Sequence, residues 1–414
     1  MEKLPPGRIG LLLHIGEHHK LLNLGIGEPN FNTPKHVIEA AMRSLQLGDT
    51  HYSPDAGTLE LRKAIVDKTK RDNGFTVDPE SEVIVTAGTS PGVFGAILAT
   101  VGKGDEVIIP SPSYFAYESI VRIAEGKPVF VPATEENQFV PELEKIAEAI
   151  TPKTKMIIVC SPTNPTGAVW DKNKVSGVAD LATDHDLLIL SDELYEQLVY
   201  DGVKVYSPAA INGLFERTIT INGLSKSHAM TGFRLGWIIA PKEIITGFSK
   251  IHQYSSICAP TTSQAAALAA LTGPDEPVKT MLAEYDRRKK LLVNRINKEI
   301  PLLSTISPKG TFYMFVNARE LLEEHHDDMK AFLKIKGKAF LESIPQHLFG
   351  IEDLNRSGSL VTMFYLIVAS KVLTVSGAWF GPGGEGFLRV SFAQTYENID
   401  KAIDRIIEGL KYLQ

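Results

Sequence analysis

From Val83 to Ala240 the chain alternates short runs of β-branched and aliphatic residues with helical stretches. The runs are Val83–Thr86, Glu106–Pro110, Pro128–Val131, Met156–Cys160, Leu187–Ser191, Thr218–Ile221 and Gly236–Ala240. Each is too short for a helix and too apolar for a strand with one wet face. Apolar strands separated mostly by helices belong to a largely parallel sheet covered on both faces. The pattern therefore predicts an α/β fold whose large domain is a mostly parallel seven-stranded sheet between helices. In such a sheet the functional loops gather at the carboxyl ends of the strands. The loops in question are Ala87–Thr89, Ser111–Tyr114, Ser161–Gly167, Asp192–Tyr195 and Asn222–Lys226.

The flanks read differently. At 414 residues the chain exceeds what one small core needs. Residues 1–20 read as an arm with a short helix. Leu22–Pro34 reads as a strand entering a glycine- and proline-punctuated loop. Thr33-Pro34 should cap a helix to about Leu47, and a further helix should run from Thr58 to about Asn73. Beyond Pro260 come two long helices, and Ser307 to Val316 reads as a strand opening a smaller α+β domain. The expected division is 1–45 as arm and part of the small domain, 46–275 as the large domain, and 276–414 as the small domain, built from both chain ends.

Charge narrows the partners. A net charge of −6 argues against nucleic acid or an anionic membrane. The apolar run Leu360–Val375 is broken by Ser370 and Lys371 and is too short for a membrane span. His14, His18 and His19 share a helical face, and they read as a solvated or packed face rather than a metal site. Glu323–Asp328 reads as a solvated helix end or loop. Two cysteines suggest neither a disulfide framework nor metal, and the expected location is cytoplasmic.

Chemistry concentrates in Asn222–Trp237, which holds Lys226 and Arg234 between two buried strands. A lysine confined among small and polar residues can lose its proton and attack a carbonyl. An arginine grips a phosphate with its planar fork. Together they suit a cofactor with both an aldehyde and a phosphate, which is pyridoxal 5′-phosphate; two ordinary cations on a surface loop are the plain alternative. Asp192 ends an apolar run and needs a partner, either a protonated ring nitrogen or the backbone of the next helix, which it could cap. Tyr195 could donate to the ring's phenolic oxygen. Asn164 offers an amide in a proline-rich turn, and Arg389 lies inside the last apolar strand, where it must face an anion.

These motifs, in this order, resemble the fold-type I, class I/II aminotransferases, especially the branch with prokaryotic aspartate and aromatic-amino-acid aminotransferases. The matching stretches are Gly27-Glu-Pro, Tyr52-Ser-Pro-Asp-Ala-Gly, Ala87-Gly-Thr, Asn164-Pro-Thr-Gly, Asp192-Glu-Leu-Tyr, Ser225-Lys-Ser-His-Ala-Met-Thr-Gly-Phe-Arg-Leu-Gly and Phe387-Leu-Arg-Val-Ser-Phe. The resemblance implies that Lys226 forms the Schiff base, Asp192 binds the ring nitrogen, Asn164 and Tyr195 contact the phenolic oxygen, and Tyr114 stacks on the ring. It further implies a phosphate site drawn from Ala87, Gly88, Thr89, Ser225 and Arg234. Tyr52 would arrive from the partner of a homodimer, and Gly27, Asn164 and Arg389 would hold the substrate.

The implied reaction is transamination between an L-amino acid, of aspartate or aromatic type, and a 2-oxo acid such as 2-oxoglutarate. A lyase on the same fold and a non-catalytic sensing module are the alternatives. Three departures stand out. Gly223 replaces a serine that many members place three residues before the lysine. Thr89 occupies a turn where some aspartate-selective bacterial members carry lysine. Residues 323–369 are longer and less regular than the family's usual segment, which could alter a substrate-facing loop.

Overall fold

The computed structural model describes residues 8–413; the first part of the expected N-terminal arm, residues 1–7, lies outside them. The strands, in chain order, are β1 (Leu22–Asn23), β2 (Val83–Thr86), β3 (Glu106–Ser111), β4 (Lys127–Pro132), β5 (Thr154–Cys160), β6 (Leu188–Asp192), β7 (Thr218–Gly223), β8 (Gly236–Ile239), β9 (Tyr313–Asn317), β10 (Val372–Leu373), β11 (Val375–Ser376) and β12 (Phe387–Ser391).

All seven expected runs form one sheet in the order β2-β8-β7-β6-β5-β3-β4. β8 runs antiparallel to both of its neighbours, and the remaining pairings are parallel. Every residue of β2, β3, β6 (after Leu188), β7 and β8 is buried, as two-sided helical cover requires. Helices Thr89–Thr100 and Lys242–Ser255 close one face with Ile84, Ile219 and Ile238. Helix Thr261–Thr272 packs with Val83, Val85 and Trp237.

The chain ends meet in a separate apolar cluster. β1 pairs with β10, while β11, β12 and β9 form an antiparallel sheet. Leu11 and Ile15 of the helix Arg8–His18 join the same cluster as Phe315, Phe364 and Ile403. The apolar run that begins at Leu360 is a helix, Gly358–Ser370, buried in this cluster. No helix among the described residues is long and apolar enough to cross a membrane.

Four local expectations change. The helix after Thr58 is α-helical only over Leu59–Lys68 and widens to a π-turn, Thr69–Asn73, which presents Asn73 to Glu193 and Glu196. Thr33 does not cap the next helix: that helix begins at Lys35, after Pro34, and the Thr33 hydroxyl donates to the Ala229 carbonyl. The stretch before Tyr313 is a loop, not a strand, and its Lys309 and Gly310 amides donate to the Gly167 carbonyl. Glu323–Asp328 lies inside the helix Arg319–Lys336, at its kink at His325, rather than at a helix end. The His14 and His18 rings stack 4.2 Å apart, and no metal-holding group occurs among the described residues.

Candidate active site

The carboxyl ends of β2, β3, β5, β6 and β7 open onto one cavity of about 510 Å³. Of the expected site residues, Gly27, Thr89, Tyr114, Asn164, Asp192, Tyr195, Ser225, Lys226, Arg234 and Arg389 line it. Ala87 and Gly88 are not part of its lining, although Gly88 lies against the Arg234 guanidinium that is. Tyr52 does not reach it: this side chain is 78% exposed and borders a separate open depression with Leu45, His51 and Cys258.

Lys226 follows β7 and points its amine across the cavity, where Nζ donates to the Gly27 carbonyl at 2.7 Å. No carboxylate lies within ion-pair distance among the described residues. Burial, reinforced by the nearby Arg389 charge, lowers its pKa to about 8. The amine is thus held near the point where it gains or releases a proton around neutrality.

Arg234 stands in the left-handed region at φ 51°, just before β8. Its guanidinium lies over Gly88, where any Cβ would collide with it. Gly236 makes the same close approach possible from the other side, because a Cβ there would meet the Thr89 amide nitrogen at 2.7 Å. Gly223 pairs with Gly236 across β7 and β8, and its own Cβ position is crowded by the Thr89 methyl at 3.0 Å. Thr89 therefore fills the space that a side chain at 223 would need. The free amides at the start of the helix Thr89–Thr100, the Ser225 hydroxyl and Arg234 together make an anion cradle.

Asp192 ends β6. Its carboxylate accepts from the Tyr117 hydroxyl at 2.6 Å and from the Leu194 amide at 3.3 Å. The backbone alternative is thus met in part, while the acid still faces the cavity. Burial raises its pKa and the Tyr117 hydrogen bond opposes that rise. Cys160 lines the same corner, but burial pushes its thiol up to about 12, so it stays protonated.

Arg389 is buried in β12 with no carboxylate partner among the described residues. Nη1 donates to Asn164 Oδ1 at 3.0 Å and Nη2 to the Gly25 carbonyl at 2.6 Å, while Nε is buried without a partner. An arginine carrying a full charge, fixed by neutral acceptors only, is arranged to receive an anion. Because Asn164 spends its oxygen on Arg389, its amide protons remain for a ligand.

Tyr313 was missed from sequence. Its hydroxyl accepts from Tyr195 at 3.1 Å and occupies the space above Gly27 that a side chain there would fill; its ring lies 4.2 Å from the Arg389 guanidinium. Tyr117, Phe115, Leu12, Leu13, Ile26 and Glu28 were missed as well. Tyr117 lies one helical turn after Tyr114, a spacing that was legible; Leu12 and Leu13 had no local signal. Contrary to expectation, no residue of 323–369 lines the cavity, because that segment folds into helices packed in the other cluster.

Comparison with known proteins agrees with this geometry. The family model described as aminotransferase class I and II matches residues 19–406. The chain is 39% identical to aromatic-amino-acid aminotransferase 2 of Thermococcus litoralis, over 99% of this chain and 97% of that one. It is 38% identical to aspartate aminotransferase of Pyrococcus abyssi, with the same coverage. A solved Thermus thermophilus aspartate aminotransferase, a double mutant, superposes with a TM-score of 0.83 at 34% identity, covering 99% of this chain and 98% of its own. The chain belongs to the class I and II aminotransferase family and is an enzyme of pyridoxal-phosphate-dependent transamination.

Proposed function

We propose that this cavity holds pyridoxal 5′-phosphate and passes an amino group from an L-amino acid, of aspartate or aromatic type, to a 2-oxo acid such as 2-oxoglutarate. The observation that carries the reading is Lys226: a buried amine, unpaired by any described carboxylate, in one cavity with an acid at Asp192 and a free arginine at Arg389. The residues fit the cofactor. The Gly88 cradle beneath Arg234 suits its phosphate, and the Asp192 carboxylate suits a protonated ring nitrogen. The Asn164 amide can donate to the phenolic oxygen, and so can Tyr195 once its hydroxyl turns from Tyr313, with Tyr114 against the ring.

When bound, the cofactor supplies an aldehyde carbon and an electron-withdrawing ring. Lys226 Nζ is the amine available to that carbon. With that carbon released, the same Nζ would be the base placed to take the substrate Cα proton and to return it, and a pKa of about 8 suits both directions. Asp192 would hold the ring nitrogen in its protonated form. Arg389 and the Asn164 amide grip the α-carboxylate and orient the Cα–H bond.

A homodimer belongs to the same reading, with Tyr52 reaching the partner's site; its support is the exposure of Tyr52, Leu45, Leu47 and Tyr254. So do the large cofactor domain and a small domain from both chain ends, supported by separate apolar clusters. Both cysteines are free, which suits a cytoplasmic, reducing location.

The test is a half-reaction. With donor amino acid alone, the cofactor-loaded enzyme should lose its visible absorbance, release one equivalent of 2-oxo acid, and recover the absorbance when a second 2-oxo acid is added. Free ammonia instead would mean a lyase, and no change at all would mean a sensing module.

A further inference from the structure

We propose that Tyr313 is a positioning residue for the cofactor: its hydroxyl donates to Tyr195, and through Tyr195 it sets how firmly a proton is held at the Lys226 nitrogen of the loaded enzyme. The proposal rests on the reading that the cavity takes pyridoxal 5′-phosphate with Tyr195 at its phenolic oxygen. It gives a task to a residue that this reading leaves unused.

Tyr313 is fixed from three directions. It opens β9, where Phe315 pairs with Arg389 of β12, so Tyr313 is the diagonal neighbour of that arginine on the same face. Its ring accordingly lies 4.2 Å from the guanidinium. Gly27 admits the hydroxyl, since a Cβ there would stand 1.8 Å from Tyr313 Oη. The third constraint is Tyr195, whose hydroxyl lies at 3.1 Å and donates to Tyr313. Tyr313 is buried and lines the cavity, yet its own proton meets no acceptor among the described residues. A buried phenol with an uncommitted donor is out of the ordinary.

Tyr195 has one proton to give. Burial, with Tyr313 beside it, holds that hydroxyl in its protonated form. When Tyr195 turns its proton to the phenolic oxygen, its own oxygen becomes the acceptor that the Tyr313 proton lacks. The contact then reverses by hydroxyl rotation alone: Tyr313 donates to Tyr195, and Tyr195 donates to the cofactor. A hydroxyl that accepts while it donates is the stronger donor. The phenolic oxygen stands next to the aldehyde carbon, so the Lys226 nitrogen joined to that carbon shares one proton with it. Stronger donation from Tyr195 satisfies the oxygen without that proton, which then leaves at lower pH. The charged and titratable groups facing the pair are Tyr114 after β3, Asp192 at the end of β6, Lys226 after β7 and Arg389 on β12.

The experiment follows the visible absorbance of the cofactor-loaded enzyme against pH. Tyr313→Phe keeps a ring on Arg389, leaves the four facing groups in place and removes only the hydroxyl. Its midpoint should rise by at least about 0.3 pH unit, a part of what one neutral hydrogen bond is worth. Tyr195→Phe should raise it by about 1 unit, and in that background Tyr313→Phe should add less than about 0.1 unit, because the hydroxyl acts through Tyr195. 3-Fluorotyrosine placed at position 313, a more acidic phenol and so a stronger donor, should lower the midpoint. A role in packing alone moves none of these.

An unchanged midpoint in folded Tyr313→Phe, an equal shift with and without the Tyr195 hydroxyl, or a rise with 3-fluorotyrosine would each overturn the proposal and leave the transamination reading standing. If the unsubstituted protein takes up no cofactor and shows no visible band, the transamination reading falls, and the proposal falls with it.

Discussion

Lys68 is a fully buried lysine and Lys226 a half-buried one, both beside the same large sheet, yet their surroundings are opposite. Lys68 is 2% exposed and its ammonium donates to Asn73 at 2.7 Å and to Glu196, with Asp72 at 3.8 Å. Asn73 continues the network to Glu193, which also accepts from Ser191 and Ser207. Lys226 faces a cavity and has one neutral acceptor, the Gly27 carbonyl. Lys289, set between Asp201 and Asp286, repeats the Lys68 pattern. Burial alone therefore does not make a lysine reactive. A buried ammonium with its carboxylate is structural, and one without it has its proton affinity lowered and its amine free for chemistry.

The comparison can be broken most sharply at the two lysines themselves. Lys226→Ala should cut turnover by at least about 10⁴ in steady-state kinetics. Its circular dichroism should stay native, because no described carboxylate loses a partner. Lys68→Met should do the reverse, costing about 3–5 kcal/mol in urea denaturation by stranding Glu196. The double variant Lys68→Met, Glu196→Gln should regain most of that loss. A neutral Lys68→Met would erase the distinction.

A pH titration sharpens it further. The folded pKa of Lys226, about 8, lies below its ordinary value of 10.5. Between those values the unfolded chain binds more protons, so stability of the cofactor-free protein rises with pH across that window. The gain relative to Lys226→Ala is on the order of 3 kcal/mol, and the cost of the buried ammonium is fully present below pH 8. Urea melts at pH 7.5 and 10.5 on both proteins measure it. The smallest effect concerns the buried acid: Tyr117→Phe removes a hydrogen bond to Asp192, should raise that carboxyl's pKa further, and should cost about 1 kcal/mol, read by carboxyl NMR and denaturation.

What could be read in advance divides along physical lines. The seven buried strands were legible because burial on both faces demands continuous apolar runs, and a parallel sheet then puts its loops at one end. Asp192, Lys226 and Asn164 stood out because a polar group at the end of such a run needs a partner. Leu12 and Leu13 were not legible, since a leucine bound for a cavity wall is identical in sequence to one bound for the core. Tyr52 shows a further limit: its 78% exposure gives it no partner within one chain.

The sequence alone determined the sheet, its site-bearing edge and the reactive residue types, because these follow from local periodicity and from the cost of burying polar groups. Only the tertiary structure decided which of these lysines is unpaired. It also decided that Arg389 meets neutral acceptors rather than a carboxylate, and that Leu12 and Leu13, from a helix near the chain's start, line the cavity. Those outcomes depend on contacts between residues far apart in the chain, such as Arg389 with Gly25 and Lys226 with Gly27, which leave no trace in local spacing.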